Sequence, residues 1–366
     1  MYPKTSAPSI TGDTMQEDDE TKVLDESEEE IIPYRYSITS YGADYPVDLL
    51  VQRLDNDIIL IPPFQRSYVW THKMASRFIE SLLLGLPVPG IFLSKEPDTG
   101  KSLIIDGHQR LKTLQFFYQG IFGGREFVLK DVQTNFEGKT YKTLKEEDRL
   151  RLGDSIIHAT IVKQDEPSDD QSSIFHIYER LNTGGMLLQS QEIRSCIYFG
   201  PFNQLLRDMN ELPKWREIYG KQSKRLKDQE LILRFYALYF YYSKYERPIK
   251  EFLNRFMGAN RHLELFNAEA LNKKFMSPIE LISTSLGNKA FRPERALNAA
   301  VFDAVMIGLA RRLEKSPIVK SDKFVDAYIK LLENTEFLES TQTGTSDVPN
   351  VQKRIELATK AFISLK

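Results

Sequence analysis

Five consecutive residues carry the strongest chemical signal in the sequence: Asp106, Gly107, His108, Gln109 and Arg110. The residues before them form a short apolar, β-branched run that is typical of a buried strand. The apolar residues after them recur at helical spacing. Glutamine and arginine in a helix's first turn lie beside free backbone N–H groups and the positive end of the helix dipole, which favour an anion. The junction therefore predicts an anion site, and the alternative is an aspartate cap on an ordinary strand–helix connection.

A second glutamine–arginine pair, Gln65-Arg66, also follows a predicted strand. The planar guanidinium of arginine suits bidentate contact with a phosphate, and glutamine adds neutral donors. If both pairs line one pocket, they form a site for the phosphates of a nucleotide or a nucleic acid. The alternative is that Arg66 and Arg110 each pair with a carboxylate for structural reasons. The repetition of the pair favours a shared phosphate site.

Two other segments are weaker candidates. Asn182-Thr183-Gly184-Gly185 lies between two predicted helices, where glycines serve either a ligand or a helix cap and turn. A basic cluster near Trp215 and Tyr219 has the composition of a nucleic-acid contact, although such clusters are more often solvated loops. Its members are Lys221, Lys224, Arg225 and Lys227.

Several kinds of site are not supported by the sequence. The five histidines are scattered, and there is neither a His-x-x-x-His spacing nor a cysteine pair for a metal. A phosphate loop ending in Gly-Lys-Ser/Thr is absent, and no Ser/His/Asp triad can be recognised. The single cysteine, Cys196, has Ile193 and Ile197 as neighbours, which indicates a buried core residue rather than a nucleophile.

Charge is distributed unevenly along the 366 residues. Residues 1–32 contain ten acidic and two basic residues, a net charge of −8, and since the whole chain carries −2, the remainder carries +6. The acidic segment is predicted to be a disordered tail. A mildly basic body is compatible with a polyanionic partner. One cysteine and the absence of any apolar run of about 20 residues predict a cytoplasmic protein without a membrane partner.

The apolar pattern predicts an α+β N-terminal domain over residues 33–166, followed by an all-helical domain over residues 167–366. In the first domain, helices are predicted over 46–55, 71–84 and from 111 onward, with a helical start near 144. Strands are predicted near 57–61, 90–94, 102–105, 127–129 and 158–162. Helices of the second domain are predicted over 171–181, from 190, and near 202–210, 228–243, 249–257, 294–313, 322–332 and 350–365.

Five motifs occur in an order that is characteristic of one known family. They are Ile61-Pro62-Pro63-Phe64-Gln65-Arg66-Ser67-Tyr68-Val69-Trp70, Ile79-Glu80-Ser81, Gly85-Leu86-Pro87-Val88-Pro89, Ile105-Asp106-Gly107-His108-Gln109-Arg110 and Arg180-Leu181-Asn182-Thr183-Gly184-Gly185. With them, residues 38–200 resemble the N-terminal domain of the GmrSD-type restriction endonucleases. The family signature Asp-Gly-Gln-Gln-Arg corresponds to residues 106–110, and His108 replaces its first glutamine.

The resemblance implies a ParB/sulfiredoxin-like fold and an NTP-binding module of bacterial defence against foreign DNA, with NTP hydrolysis as the expected activity. Full-length relatives carry a C-terminal His-Asn-His (HNH) nuclease domain. Because His262 is the only histidine of residues 201–366, we expect a stand-alone member without that nuclease.

The leading hypothesis is a cytoplasmic nucleotide-binding protein, expected to hydrolyse NTP with Mg²⁺, that associates with DNA and with other defence proteins. Asp106 would position a water, a metal ion or a ribose hydroxyl, and Arg110 would stabilise the transferring phosphoryl group. The predicted nucleotide-binding residues are Gln65, Arg66, Gly107, His108, Gln109 and Asn182. The alternative is a catalytically inert DNA-binding or adaptor protein that uses the same arginines. An autonomous ParB-like nuclease is the weakest hypothesis, because no catalytic residues for it can be identified.

Overall fold

The computed structural model describes residues 23–24, 37–61, 68–96, 99–166, 172–181, 188–316 and 320–365. The strands within these ranges are β1 (Val23–Leu24), β2 (Ser37–Pro46), β3 (Ile59–Leu60), β4 (Ile91–Lys95), β5 (Ser102–Asp106), β6 (Ile121–Phe122), β7 (Arg125–Glu126), β8 (Ile156–Glu166) and β9 (Leu297–Asn298). Helices of the N-terminal part are α1 (Val47–Asp55), α2 (His72–Leu83), α3 (His108–Gln119) and α4 (Glu146–Asp154).

Five strands form one mixed sheet in the order β2-β8-β4-β5-β3. The pairs β2–β8 and β4–β5 are antiparallel, whereas β4–β8 and β3–β5 are parallel. Because of these directions, the carboxyl ends of β2, β3 and β5 lie at the same edge of the sheet as the first residues of β4 and β8. This edge carries Asp106 at the end of β5.

One face of the sheet packs against α1, α2, α3 and α4. Apolar residues at alternate positions of the strands, such as Leu93, Ile104 and Ile161, join Leu50 of α1 and Leu114 of α3 in one buried cluster. The opposite face packs against the helical part of the chain. Ile105 and Val162 belong to the core cluster of that part.

The rest of the described chain is almost entirely helical. Its helices are α5 (Ser172–Leu181), α6 (Ser190–Ile197), α7 (Pro201–Asn210), α8 (Pro213–Tyr219), α9 (Lys227–Tyr241), α10 (Ile249–Ala259), α11 (Ala268–Leu286), α12 (Ala299–Lys315), α13 (Ser321–Leu332), α14 (Thr335–Gln342) and α15 (Val348–Ile363). α12 is central, since most of its residues are buried. A Cβ on Gly308 would lie 2.8 Å from the backbone of Ala358, so α12 and α15 approach closely at this glycine.

A buried ionic cluster stabilises the same region. Asp303 Oδ2 accepts hydrogen bonds from Arg234 Nη2 at 2.7 Å and from Arg354 Nη2 at 3.1 Å, and all three side chains are at most 2% exposed. Two arginines around one carboxylate leave one positive charge in excess. Removing the carboxylate would therefore take a buried negative charge away from both arginines, which is strongly destabilising.

The predicted order of an α+β part followed by a helical part is confirmed, but the strand predicted near residues 127–129 is wrong. Phe127 and Leu129 are fully buried in a loop, and their amides donate to the carbonyls of Gly120 and Lys139 rather than to a strand. The continuous apolar run Phe127-Val128-Leu129 is therefore largely buried without forming a strand. The predicted boundary near 166 coincides with the end of β8.

Three helices and the longest edge strand were not predicted. α8 and α14 are short, and α11 contains Pro278, which argues against a helix unless burial of its apolar face outweighs it. β2 is exposed along most of its length and lacks an apolar alternation. Within the predicted N-terminal tail, β1 pairs in parallel with β9, and the other residues of the first 32 lie outside the described ranges. No helix among the described residues combines the length and apolar character needed to cross a bilayer.

Candidate functional site

The β5–α3 junction is shaped by Gly107. This residue caps the N-terminus of α3 with φ 98° and ψ 10°, a backbone conformation that L side chains rarely adopt. A Cβ at this position would lie 2.5 Å from Ile91 Cγ2 and 3.1 Å from Arg110 Nη2. Glycine is thus needed for the close approach of the junction to β4 and to Arg110. Its predicted contact with a nucleotide stays a prediction.

Arg110 is held in place by one of its terminal nitrogens. Nη2 donates to Asp106 Oδ2 at 2.8 Å and to the carbonyl oxygen of Gly90 at 2.9 Å. The side chain is 15% exposed, and its Nε is buried without a hydrogen-bond partner. Among the described residues, Nη1 has no partner either. The guanidinium is therefore fixed along one edge, while the three N–H donors of Nε and Nη1 remain unused.

Asp106 differs from Arg110 in its accessibility. Its side chain is 44% exposed, and its ion pair with Arg110 uses only Oδ2. Among the described residues, no donor reaches Oδ1. A half-exposed carboxylate with one free oxygen can accept a proton donor or contact a cation. Its ion pair with Arg110 is also the kind of contact that the structural alternative for Arg110 predicts.

The carbonyl of Gly90 is a site feature that the sequence did not reveal. Gly90 precedes β4, and a Cβ there would lie 2.7 Å from the carbonyl oxygen of His158 on β8. The absence of a side chain lets this backbone run close to β8, and its carbonyl then accepts from Arg110. The Pro89-Gly90 pair was visible in the sequence, but only as the start of a strand.

Gln109 contacts protein groups rather than open space. Its Oε1 accepts hydrogen bonds from the amides of Val69 at 3.0 Å and Trp70 at 3.2 Å, and its Nε2 lies 2.6 Å from His108 Nε2. Only one N–H of the Gln109 side chain then remains for the phosphate contact that was predicted. The first two residues of α3 thus form a hydrogen-bonded chain to the segment that precedes α2.

Tyr68 connects the segment that precedes α2 to a later turn of α3. Its hydroxyl lies 2.7 Å from Thr113 Oγ1, and its ring makes edge-on contacts with Phe116 and Phe122 at 5.1 and 5.5 Å between ring centres. Gln65 and Arg66 lie outside the described residues. Along the chain, residues 62–67 are preceded by β3, which pairs with β5. They are followed by Tyr68, which is hydrogen-bonded to α3.

Asn182 and its two glycines also lie outside the described residues, immediately after α5. The described part of α5 carries a group of ion pairs. His176 lies 3.1 Å from Glu251 and 3.7 Å from Glu179, while Glu179 accepts from Lys250 at 2.8 Å. Hydrogen bonds to Glu179 and Glu251 raise the pKa of His176 to about 9, and the bond to His176 lowers the pKa of Glu179 to about 2.

The basic cluster near residue 221 lacks the aromatic partners that would mark a nucleic-acid contact. Trp215 is fully buried and Tyr219 is 3% exposed, so neither ring can stack on a base. Arg225 forms an ion pair with Glu192 at 3.2 Å. The lysines at 221, 224 and 227 are exposed. This cluster therefore supports at most a sequence-independent electrostatic contact.

Two predictions about other chemistry can be compared with the structure. Cys196 is buried, and its burial raises the pKa of the thiol to about 12, as expected for a core residue without a nucleophilic role. Within the described ranges, no group of three or more His, Cys, Asp or Glu side chains is arranged to hold a metal ion.

Comparison with known proteins identifies one relationship. No curated protein matches the chain. No solved structure matches it. A family model, described as the GmrSD restriction endonuclease, N-terminal domain, matches residues 48–199. The match runs from α1 to just beyond α6 and contains the β5–α3 junction with Asp106 and Arg110. The predicted resemblance is confirmed: residues 48–199 match the model of the GmrSD restriction endonuclease N-terminal domain family.

Proposed function

We propose that the β5–α3 junction binds the phosphates of an NTP. The observation that carries this proposal is the state of Arg110, whose Nη2 is anchored by Asp106 and Gly90 while its buried Nε has no partner. Buried polar groups are almost always satisfied, and an orphaned guanidinium N–H is a position for an anion or a water. Arginine contacts phosphate through charged N–H donors, and those of Nε and Nη1 of Arg110 have no partner among the described residues.

The surroundings of Arg110 favour negative charge. The side chain lies in the first turn of α3, where backbone N–H groups and the helix dipole add positive potential. Electrostatic stabilisation of a transferring phosphoryl group is the catalytic contribution that an arginine so placed supplies. NTP hydrolysis at this site is therefore the proposed activity.

Asp106 is the residue that would hold Mg²⁺. Mg²⁺ is commonly bound by one or two carboxylates together with substrate phosphates, and Asp106 Oδ1 is free for this contact within the described part of the chain. A bound Mg²⁺ would neutralise phosphate charge. Asp106 also holds Arg110 through Oδ2, so the same carboxylate orients the phosphate-binding side chain.

The other residues predicted to bind the nucleotide are supported by different observations. For Gln65, Arg66 and Asn182 the support is the resemblance alone. Gly107 is the N-cap of α3 and His108 is its first residue, so both lie at the same end of the helix as Arg110. The ParB/sulfiredoxin-like character of the fold is likewise proposed from the resemblance.

The family match supports a role in a restriction-like defence system. Within such a system, we propose that this cytoplasmic protein associates with DNA and with other defence proteins. The net charge of +6 outside the acidic first 32 residues is compatible with a DNA partner.

One observation favours a second function, that of a catalytically inert DNA-binding or adaptor protein. Arg110 already has a carboxylate partner in Asp106, and an ion pair of this kind between the end of β5 and the first turn of α3 can serve structure alone. In that function Arg110 would contact DNA or only Asp106, and no nucleotide would bind.

Thermal unfolding of the full chain separates the two functions. Each NTP is added with and without Mg²⁺ at a concentration far above the expected dissociation constant. A ligand at about 100 times its dissociation constant adds roughly 2.7 kcal/mol to the free energy of unfolding, a measurable rise in Tm. A rise with at least one NTP supports the nucleotide site, and phosphate release then tests hydrolysis. No shift with any NTP would favour the adaptor function.

A further inference from the structure

The orientation of the Gln109 amide follows from its contacts. The atom that faces the amides of Val69 and Trp70 must be the oxygen, because a backbone N–H only donates. The amide NH₂ group is thereby turned toward His108, whose Nε2 lies 2.6 Å away. Gln109 Nε2 is the donor in this contact, so His108 Nε2 must accept.

An accepting Nε2 restricts the state of the imidazole. A neutral ring has one donor and one acceptor nitrogen, so His108 must carry its proton on Nδ1. In an imidazolium, Nε2–H would oppose the NH₂ group of Gln109, and the contact would be lost. The positive end of α3 is also an unfavourable place for a second cation beside Arg110.

We propose that His108 is a positioning residue. As the neutral Nδ1–H tautomer it holds the Gln109 amide, and through that amide it fixes the backbone of Val69 and Trp70 on the first turn of α3. This backbone leads directly into α2, where Thr71 caps the helix by accepting from Met74. The link joins α2 and α3 at the point where Arg110 lies.

The consequence for ligand binding rests on the proposed function. If the junction binds an NTP, the chain from His108 to Trp70 keeps one wall of the site next to Arg110. Alanine at position 108 breaks the chain at its first hydrogen bond. Glutamine at the same position restores it, because the amide oxygen of glutamine can accept from Gln109.

Amide hydrogen exchange of Val69 and Trp70 in the full chain tests the proposal without any ligand. We expect His108→Ala to speed exchange at both amides by between about twofold and about tenfold, the factor that one net hydrogen bond is worth. His108→Gln should restore slow exchange. His158→Ala is the matched control, since His158 is an exposed histidine that pairs with Asp44 at 2.8 Å, and it should leave both amides unchanged.

A second measurement covers the case in which His108→Ala fails to fold. Nitrogen NMR of histidine-labelled wild-type protein should show a His108 ring protonated on Nδ1. A ring protonated on Nε2, unchanged exchange in His108→Ala, or no restoration by His108→Gln would each overturn the proposal. An NTP titration of the same proteins is read separately: a wild type that binds no NTP refutes the proposed function, while the exchange data still decide the role of His108.

Discussion

Replacing Gly107 by alanine tests whether the β5–α3 junction requires glycine for its backbone conformation and for its packing against β4. A residue other than glycine at φ 98° costs about 1–2 kcal/mol from backbone sterics alone. The new Cβ would also lie 2.5 Å from Ile91 Cγ2, and overpacking of this kind costs typically about 1–3 kcal/mol. Gly107→Ala should therefore lower the free energy of unfolding by about 2–5 kcal/mol.

The same helix provides the matched control. Gly120 ends α3 with φ 78°, and a Cβ built there meets no atom within 4 Å. Gly120→Ala should cost only the backbone part, about 1–2 kcal/mol. Urea denaturation of both variants measures the difference. Equal destabilisation by the two substitutions would refute the argument that Gly107 is required for close packing against β4.

Two further predictions concern the helical part. His176 has its folded-state pKa raised from 6.5 to about 9 by hydrogen bonds to Glu179 and Glu251, so the stability it contributes is complete below about pH 6.5 and is lost as the pH rises through about 9. Denaturation between pH 6 and pH 10 should show this loss in the wild type and a smaller one in His176→Gln, and parallel profiles would contradict it. Asp303→Ala should cost about 3–5 kcal/mol because it removes the buried carboxylate that Arg234 and Arg354 both contact, whereas Asp347→Ala, at an exposed pair, should cost less than about 1 kcal/mol in the same urea melts. Similar losses of stability in Asp303→Ala and Asp347→Ala would contradict the large cost expected from the buried ionic cluster.

Much of the fold was readable because apolar spacing reports burial directly. The helix predicted over 71–84 is α2, and Thr71 caps it by accepting from the amide of Met74. The strands predicted near 90–94 and 102–105 are β4 and β5, which pair with each other. β2 was not predicted, because an exposed edge strand needs no apolar alternation in its sequence. The loop at Phe127 was mistaken for a strand because a short apolar run can be buried in a loop as well as in a strand.

The sequence indicated which residues lie together at the candidate site, but not the contacts that hold them. Residue chemistry indicated an anion site at Asp106 and Arg110, and the structure brings these two side chains within 2.8 Å of each other. The sequence could not show that the Gly90 carbonyl anchors Arg110, because this contact depends on the pairing of β4 with β5. It also could not show that Gln109 binds the backbone of Val69, about forty residues away, since any amide side chain is equally suited to bind a phosphate or a backbone amide.

Substitution of Arg110 is the perturbation that reaches the centre of the proposed function. Arg110→Ala removes two hydrogen bonds but leaves Asp106, which is 44% exposed, free to be hydrated. We therefore expect a loss of about 1–3 kcal/mol in stability, rather than the 3–5 kcal/mol expected when a fully buried carboxylate is left unpaired. The variant should remain folded at room temperature. Lys112→Ala, a cation on the same helix, is the matched control.

The most direct measurement is an NTP titration of wild type, Arg110→Ala and Lys112→Ala with Mg²⁺ present. The loss of one charged phosphate contact should weaken binding by about 1.5–3 kcal/mol, which raises Kd by about ten- to a hundredfold. Lys112→Ala should bind as the wild type does. A folded Arg110→Ala protein that binds NTP with wild-type affinity would contradict the phosphate site at the β5–α3 junction.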